Sequence, residues 1–395
     1  MVLEPPPWRL VATCTRGLEE VLAGELESLG VEDVTPGVGA VTFRGDLAGL
    51  YGANLRLRTA MRVLVPLLRG RVRGRKDLFA LAARVPWEDL IPPGATFAVE
   101  TVGKAPGLEH SGFAALVVKD AVADRIRGRR GNRPDVDRRD PDIRIHVHLG
   151  RHGTTLSLDA TGEPLSRRGY RRHGGTAPLS ETLAAGLLLL AGYDGECPLV
   201  DPLCGSGTLA VEAALIASRT PPGLLRRFAF ERWPLHDREI LDEVRHEAAL
   251  GRREPPRPIR AADRARRMVA AAGRNLARAG VERWVELAVE DVRWMEPLEP
   301  GTLLVTNPPY GERLGETEGL EGFYRELGDT LKRSAAGCTA WLLVGNRRLA
   351  GAIGLKASRR IRLFNGPIEC RFLRFDLYEG SRRSGGGPVR GPEEL

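Results

Sequence analysis

The run Asp201-Pro202-Leu203-Cys204-Gly205-Ser206-Gly207-Thr208 lies between an apolar strand pattern, Pro198–Leu203, and an apolar helical pattern, Gly207–Ser218. Strand, glycine turn and helix in that order open a βαβ unit, and such a unit requires a parallel sheet with helices on its faces. The pattern continues down the chain. Strands are expected at Ile259–Ala262, Val285–Val289, Leu303–Thr306 and Thr339–Val344, with helices between them, after a leading helix over Leu179–Ala191. Arg360–Phe364 and Arg371–Tyr378, joined by an Asn-Gly-Pro connection, read as a closing antiparallel hairpin. The expectation is an α/β fold built on a mostly parallel seven-stranded sheet with one antiparallel strand. Ligands in such sheets bind beyond the carboxyl ends of the strands.

The chemistry sits at two of those ends. Gly205 and Gly207 let the backbone turn tightly and approach a ligand closely, and the following helix offers free amides. The loop lacks the lysine of a nucleotide triphosphatase, so a phosphate is not implied. Asn307-Pro308-Pro309-Tyr310 follows the strand ending at Thr306, 106 residues after Asp201 (307 − 201). An exocyclic amine or amide nitrogen is planar, with its lone pair delocalised. The Asn307 side-chain carbonyl and the Pro308 backbone carbonyl can each accept one N–H and so fix the plane of that amine. Pro308 and Pro309 stiffen the loop, and Tyr310 offers a ring on which an extruded base can stack. Taken alone, either motif could be an ordinary turn.

Residues 176–378 resemble a class I S-adenosylmethionine-dependent methyltransferase, in the branch that methylates exocyclic or amide nitrogens. The segment Ser166–Thr182, the glycine loop and the run Arg226–Trp233 together resemble the bacterial 23S rRNA guanine-N2 methyltransferases that carry an N-terminal THUMP domain. The long stretch Ser218–Glu254 favours that ribosomal branch over the related tRNA guanine-N2 enzymes, which share the catalytic motif. Some members carry a second methyltransferase domain, which is not expected in a chain of this length. The resemblance implies S-adenosyl-L-methionine as cofactor, held by Pro178, Asp201, Cys204, Gly205, Ser206, Gly207, Thr208, Asp263, Asp291 and Asn307. Asp201 is expected on the ammonium side, directly or through water. Asp263 is expected at the ribose hydroxyls and Asp291 at the adenine amine. Each aspartate taken singly could equally be a helix N-cap. The family often has a second acid two positions after the ribose aspartate, and here that position is Ala265.

Residues 1–70 alternate strand and helix as a ferredoxin-like βαββαβ unit, and residues 71–160 form a second α+β unit that the resemblance identifies as THUMP. Its helix over Phe113–Arg130 is expected to turn Leu116, Val117, Val122 and Ile126 inward. Residues 161–175 read as a linker, 176–380 as the methyltransferase domain and 381–395 as a disordered tail.

The net charge is +8, with arginine supplying 54 of the 59 basic residues. Arginine suits bidentate phosphate contact and base stacking. The candidate RNA contacts are Arg71, Arg73, Arg75 and Lys76, then Arg127, Arg129 and Arg130, then Arg167, Arg168, Arg171 and Arg172 in the linker. Charge runs are also commonly plain solvated faces. The five cysteines form no Cys-x-x-Cys pair, and His146 and His148 lack nearby acidic or cysteine ligands, so no metal site is expected. No signal peptide or apolar span is evident, and the chain is expected to be a cytoplasmic monomer. The leading expectation is methylation of a guanine N2 amine in RNA, most plausibly 23S rRNA. Methylation of tRNA, DNA adenine or protein glutamine, and a non-catalytic role in RNA assembly, stand beside it.

Overall fold

The computed structural model describes residues 5–171, 179–310 and 316–378, without the side chains of 316–318. Arg172, Pro178 and the tail 381–395 lie outside the described residues.

The N-terminal half runs β1 (Trp8–Cys14), α1 (Glu19–Ser28), β2 (Glu32–Pro36), β3 (Ala40–Gly45), α2 (Leu47–Arg56) and β4 (Ala60–Gly70). This is the expected βαββαβ order. β2 carries no apolar alternation because it is an edge strand, exposed along most of its length. Then follow α3 (Arg75–Ala83), α4 (Trp87–Leu90), β5 (Phe97–Gly103), α5 (Ser111–Arg130), β6 (Ile143–Gly150) and β7 (Gly153–Asp159). β4 pairs antiparallel with β7, so both units share one seven-stranded sheet, β2-β3-β1-β4-β7-β6-β5. On α5 the inward stripe takes Val117, Val122 and Ile126. Leu116 falls off that stripe and is exposed, against expectation.

The second half contains α6 (Glu181–Leu190), β8 (Leu199–Asp201), α7 (Thr208–Ala217), α8 (Arg238–Leu250), β9 (Ile259–Asp263), α9 (Arg266–Ala279) and β10 (Val285–Val289). It continues with β11 (Leu303–Thr306), α10 (Glu316–Ser334), β12 (Thr339–Val344), α11 (Arg347–Ala352), β13 (Arg359–Asn365) and β14 (Ile368–Asp376). The sheet order is β10-β9-β8-β11-β12-β14-β13. The strands from β10 to β12 are parallel, and β14 runs antiparallel to β12 and β13. The order reverses between β8 and β11, a topological switch point where an α/β sheet opens a crevice. The glycine loop leaves β8 and the Asn-Pro-Pro-Tyr loop leaves β11, so both motifs arrive at that crevice.

α6 and α7 are apolar nearly all round and therefore buried on more than one side. α6 packs toward the N-terminal half: a Cβ added at Gly186 would stand 2.6 Å from Leu18 Cδ1. The stretch Ser218–Glu254 also bridges the halves. Tyr51 on α2 stacks on Phe230 with ring centroids 4.4 Å apart, and its hydroxyl accepts from Asp237 N at 3.0 Å. Phe230 stacks in turn on Phe228 at 5.2 Å. One buried apolar cluster consequently runs from β1 to β14.

Candidate active site

The glycine loop is built by positive-φ glycines. Gly205 has φ 53° and Gly207 has φ 81°, conformations that a side chain disfavours. A Cβ at Gly207 would also meet Ala272 Cβ at 2.9 Å, which lets α9 lie close against the loop. At Gly205 the nearest atom to such a Cβ is Met268 Cε at 3.8 Å, so the loop surface there is open toward a ligand. Cys204 is buried, its N–H donates to Ala262 O at 2.8 Å, and burial raises its thiol far above the usual range. Asn275 on α9, which sequence reasoning missed, donates from Nδ2 to Ser206 O at 2.9 Å. The signal for it was a polar residue one position before the buried Leu276, on the inward stripe of an amphipathic helix.

The three aspartates prove to be anchors before anything else. Asp263 Oδ2 accepts Gly205 N at 3.1 Å and its Oδ1 accepts Ala265 N at 2.8 Å, while the residue stays partly exposed. It can therefore hold the loop and still face a ribose. Asp291 caps the turn Val292–Trp294, and its two oxygens take the Arg293 fork at 3.0 and 2.7 Å. That guanidinium holds its carboxyl below the ordinary range. An adenine amine would have to share Asp291 with Arg293, so the bland capping role is the one the geometry displays. Asp201 is 1 % exposed. It accepts Thr306 Oγ1 at 2.7 Å and Leu203 N at 3.3 Å. Burial, with Asp263 nearby, pushes its carboxyl up to about 7. Direct contact with an ammonium is thus closed, and Asp201 works from beneath as a strut between β8 and β11.

Thr306, the other end of that strut, is fully buried and immediately precedes Asn307. A lone hydroxyl in an apolar strand was its signal. Asn307 is partly exposed, Pro308 is buried and Pro309 is exposed. Tyr324 on α10 donates from its hydroxyl to Pro309 O at 3.0 Å, which fixes the loop from outside. Tyr310 departs from expectation. Its ring is buried against Gly345, where a Cβ would stand 2.9 Å from Tyr310 Cγ, and Ile368. No free face remains for a base. Instead its hydroxyl donates to Asn307 Oδ1, with Asn365 and Cys370 also in hydrogen-bonding contact. A carbonyl oxygen has two lone pairs, so Asn307 keeps one for an incoming N–H. Tyr310 orients the asparagine.

The linker arginines are reassigned as well. Arg168 is buried, its Nε lies 2.8 Å from Glu212 Oε1 and its Nη2 donates to Arg58 O at 2.7 Å. Arg171 pairs with Glu181 at 3.1 Å and donates to Leu179 O. Neither is available to RNA; both bolt the linker to α6 and α7. Arg167 is exposed, though paired with Glu163. Arg130 donates to Ile91 O at 2.8 Å and to Glu88 O, tying down a loop. Arg127 and Arg129 remain exposed, as do Arg71, Arg73, Arg75 and Lys76. Among the described residues no three His, Cys, Asp or Glu side chains gather as a metal site, and no helix is long and apolar enough to cross a membrane.

Comparison with known proteins identifies the domains. The family described as "RMKL-like, methyltransferase domain" matches residues 168–374, the "RlmL ferredoxin-like domain" matches 9–64 and the "THUMP domain" matches 73–159. The chain is 42% identical over 386 residues to a ribosomal RNA large subunit methyltransferase K/L of Syntrophotalea carbinolica, covering 94% of this chain and 54% of that protein. It is 40% identical to a putative RNA methyltransferase of Synechocystis, covering 93% of this chain and 96% of that one. The chain thus spans about half the length of the K/L relative. A solved putative methyltransferase, SMU.472, complexed with SAH, superposes with TM-score 0.85 at 28% identity over 96% of this chain and 100% of that one.

Proposed function

Since the chain belongs to the RMKL-like methyltransferase family with THUMP and ferredoxin-like domains, we propose that it methylates the exocyclic N2 amine of a guanine in RNA, large-subunit rRNA by preference. The observation that carries this reading is the 2.7 Å tie between Thr306 and Asp201. It sets the amine-holding loop of β11 beside the glycine loop of β8.

S-adenosyl-L-methionine, when bound, supplies a methyl group already activated on a sulfonium. The open surface at Gly205 and the partly exposed Asp263 carboxylate fit it, with Ser206, Gly207 and Thr208 shaping the slot. The residues of the chain do the rest. Asn307 Oδ1 and the Pro308 carbonyl accept the two N–H bonds of the amine and turn its lone pair toward the methyl carbon. With the donor bound, the methyl would pass from sulfur to nitrogen, the C–S bond breaking as the C–N bond forms and a neutral thioether leaving, and the same carbonyls would stabilise the positive charge growing on nitrogen. The alkylated nitrogen is acidic and releases a proton to water, so a strong base is unnecessary. Thr306 and Tyr310 keep Asn307 aimed.

The reading places the protein in the cytoplasm, acting as a monomer. It is tested by incubating the purified chain and labelled donor with 23S rRNA and tRNA from a strain lacking the protein. Label in guanine N2 of rRNA is expected. Label in tRNA alone moves the substrate to tRNA. Transfer to DNA or a protein amide after deletion of residues 1–160 overturns the RNA assignment.

A further inference from the structure

We propose that one face of β13, carrying Arg360, Arg362 and Phe364, is a track for the phosphate backbone of the RNA strand that bears the target nucleotide. This rests on the RNA methyl-transfer reading and adds to it a binding surface outside the THUMP unit and the catalytic loop.

β13 is the outermost strand of the second sheet. Residues two apart share a face, so Arg360, Arg362 and Phe364 line up over about 13 Å, at the usual strand rise. Both arginines are exposed and Phe364 is partly exposed. Arginine on an edge strand can by itself merely discourage strand pairing. Three observations go further. First, neither Arg360 nor Arg362 has an acidic partner among the described residues, whereas Arg371 and Arg374 on the adjoining β14 are paired with Glu369 and Asp376. The unneutralised charge lies on the outer strand only. Second, the Arg362 guanidinium stands 6.0 Å from the Phe364 ring centroid, a cation beside an aromatic face of the kind on which bases stack. Third, the strand ends at Asn365, whose side chain lies on the other face of β13 and contacts the Tyr310 hydroxyl that orients Asn307, so the end of the strand borders the Asn-Pro-Pro-Tyr loop. A strand of RNA that follows the arginines to the end of β13 therefore comes up beside that loop with its phosphates neutralised and a base-stacking ring at the edge of the crevice. The opposite face of β13 is closed by the N-terminal half, where Gly17 packs so tightly that a Cβ would stand 2.9 Å from Leu363 Cδ2.

The test compares the full-length chain with Arg360→Ala/Arg362→Ala, Arg360→Lys/Arg362→Lys, Phe364→Ala and, as a control, Arg374→Ala. Binding of a single-stranded RNA oligonucleotide is titrated across a salt series. The double alanine variant is expected to bind at least 10-fold more weakly at low salt. Its log–log salt slope is expected to be shallower by about 1.4, from two lost contacts at about 0.7 each for single strands. The lysine pair should restore the slope, Phe364→Ala should weaken binding with the slope intact, and Arg374→Ala should change nothing. Donor binding and melting temperature should stay at the wild-type values in all four. An unchanged slope in the alanine pair overturns the track. So does a shift in sedimentation with RNA affinity intact, which would make β13 a contact between copies of the chain. If the wild-type protein binds RNA through this face yet methylates none, the activity reading fails and the track stands.

Discussion

Glu212 on α7 and Arg168 in the linker meet at 2.8 Å with both side chains almost wholly excluded from solvent. Tyr170 donates to the same Glu212 oxygen at 2.9 Å, and Arg58 lies close enough to offset the burial that raises the glutamate's proton affinity. Arg58 itself donates to Leu215 O and Thr220 O at the far end of α7. The helix that begins at the donor loop is thereby clamped to the N-terminal half and to the linker at once.

Removing one partner should be worse than removing both. Glu212→Ala strands a buried guanidinium and is expected to cost roughly 3–5 kcal/mol, while the Glu212→Ala/Arg168→Ala pair should fall well short of the sum of the single changes. Urea unfolding of the four proteins measures the coupling. Additive costs would show that the pair is not energetically linked.

Asp201 should make stability depend on pH with a definite sign. Its folded value, about 7, lies above the ordinary aspartate value of 3.8 because the carboxyl is buried. Its contribution is fully present below pH 4, declines between about 4 and 7, and is gone above 7. The difference is on the order of 4 kcal/mol. Asp201→Asn keeps an oxygen for Thr306 and does not titrate. Its stability relative to wild type should rise from pH 4 to pH 8, read by chemical denaturation at each pH.

Tyr310 and Asn307 should separate in steady-state kinetics. Asn307→Ala removes an amine acceptor and is expected to lower kcat by about 10²–10³ with donor affinity intact. Tyr310→Phe removes only the hydroxyl that aims Asn307. Loss of one neutral hydrogen bond, worth about 1 kcal/mol, corresponds to about a 5- to 10-fold fall in kcat. KM for RNA should not change, because the ring remains packed on Gly345. A raised KM with unaltered kcat would return the ring to base stacking.

The segment that leads into α3, with its first two residues, should carry backbone affinity. Replacing Arg71, Arg73, Arg75 and Lys76 by alanine is expected to flatten the salt slope of RNA binding by about 3, at about 0.7 per single-strand contact. Arg168→Ala should leave that slope alone and lower the melting temperature instead. Filter binding across a salt series, beside a thermal melt, distinguishes the two sets.

The succession of strands along the chain and the glycine and Asn-Pro-Pro-Tyr loops were legible because short-range signals carry them. Apolar runs of strand length ending in glycine or in Asn-Pro-Pro-Tyr need no partner to be recognised, and the seven strands of the second sheet lie within three residues of their expected bounds. β2 follows only from the order of the unit, because an exposed edge strand buries no alternating face of its own. Arg71 and Arg168 show where local reading stops. Both are arginines in glycine-containing basic runs, yet one is solvent-exposed and the other lies against Glu212. Charge sets what a side chain can bind, while the contacts that bury or free it come from residues tens of positions away. The chain's own letters thus determined the α/β frame, the glycine turn and the amine-holding loop. Tertiary structure alone decided that Asp201 is a strut, that Tyr310 faces Asn307, and which arginines reach water. Burial and pairing are properties of the assembled sheets and helices, and no local pattern encodes them.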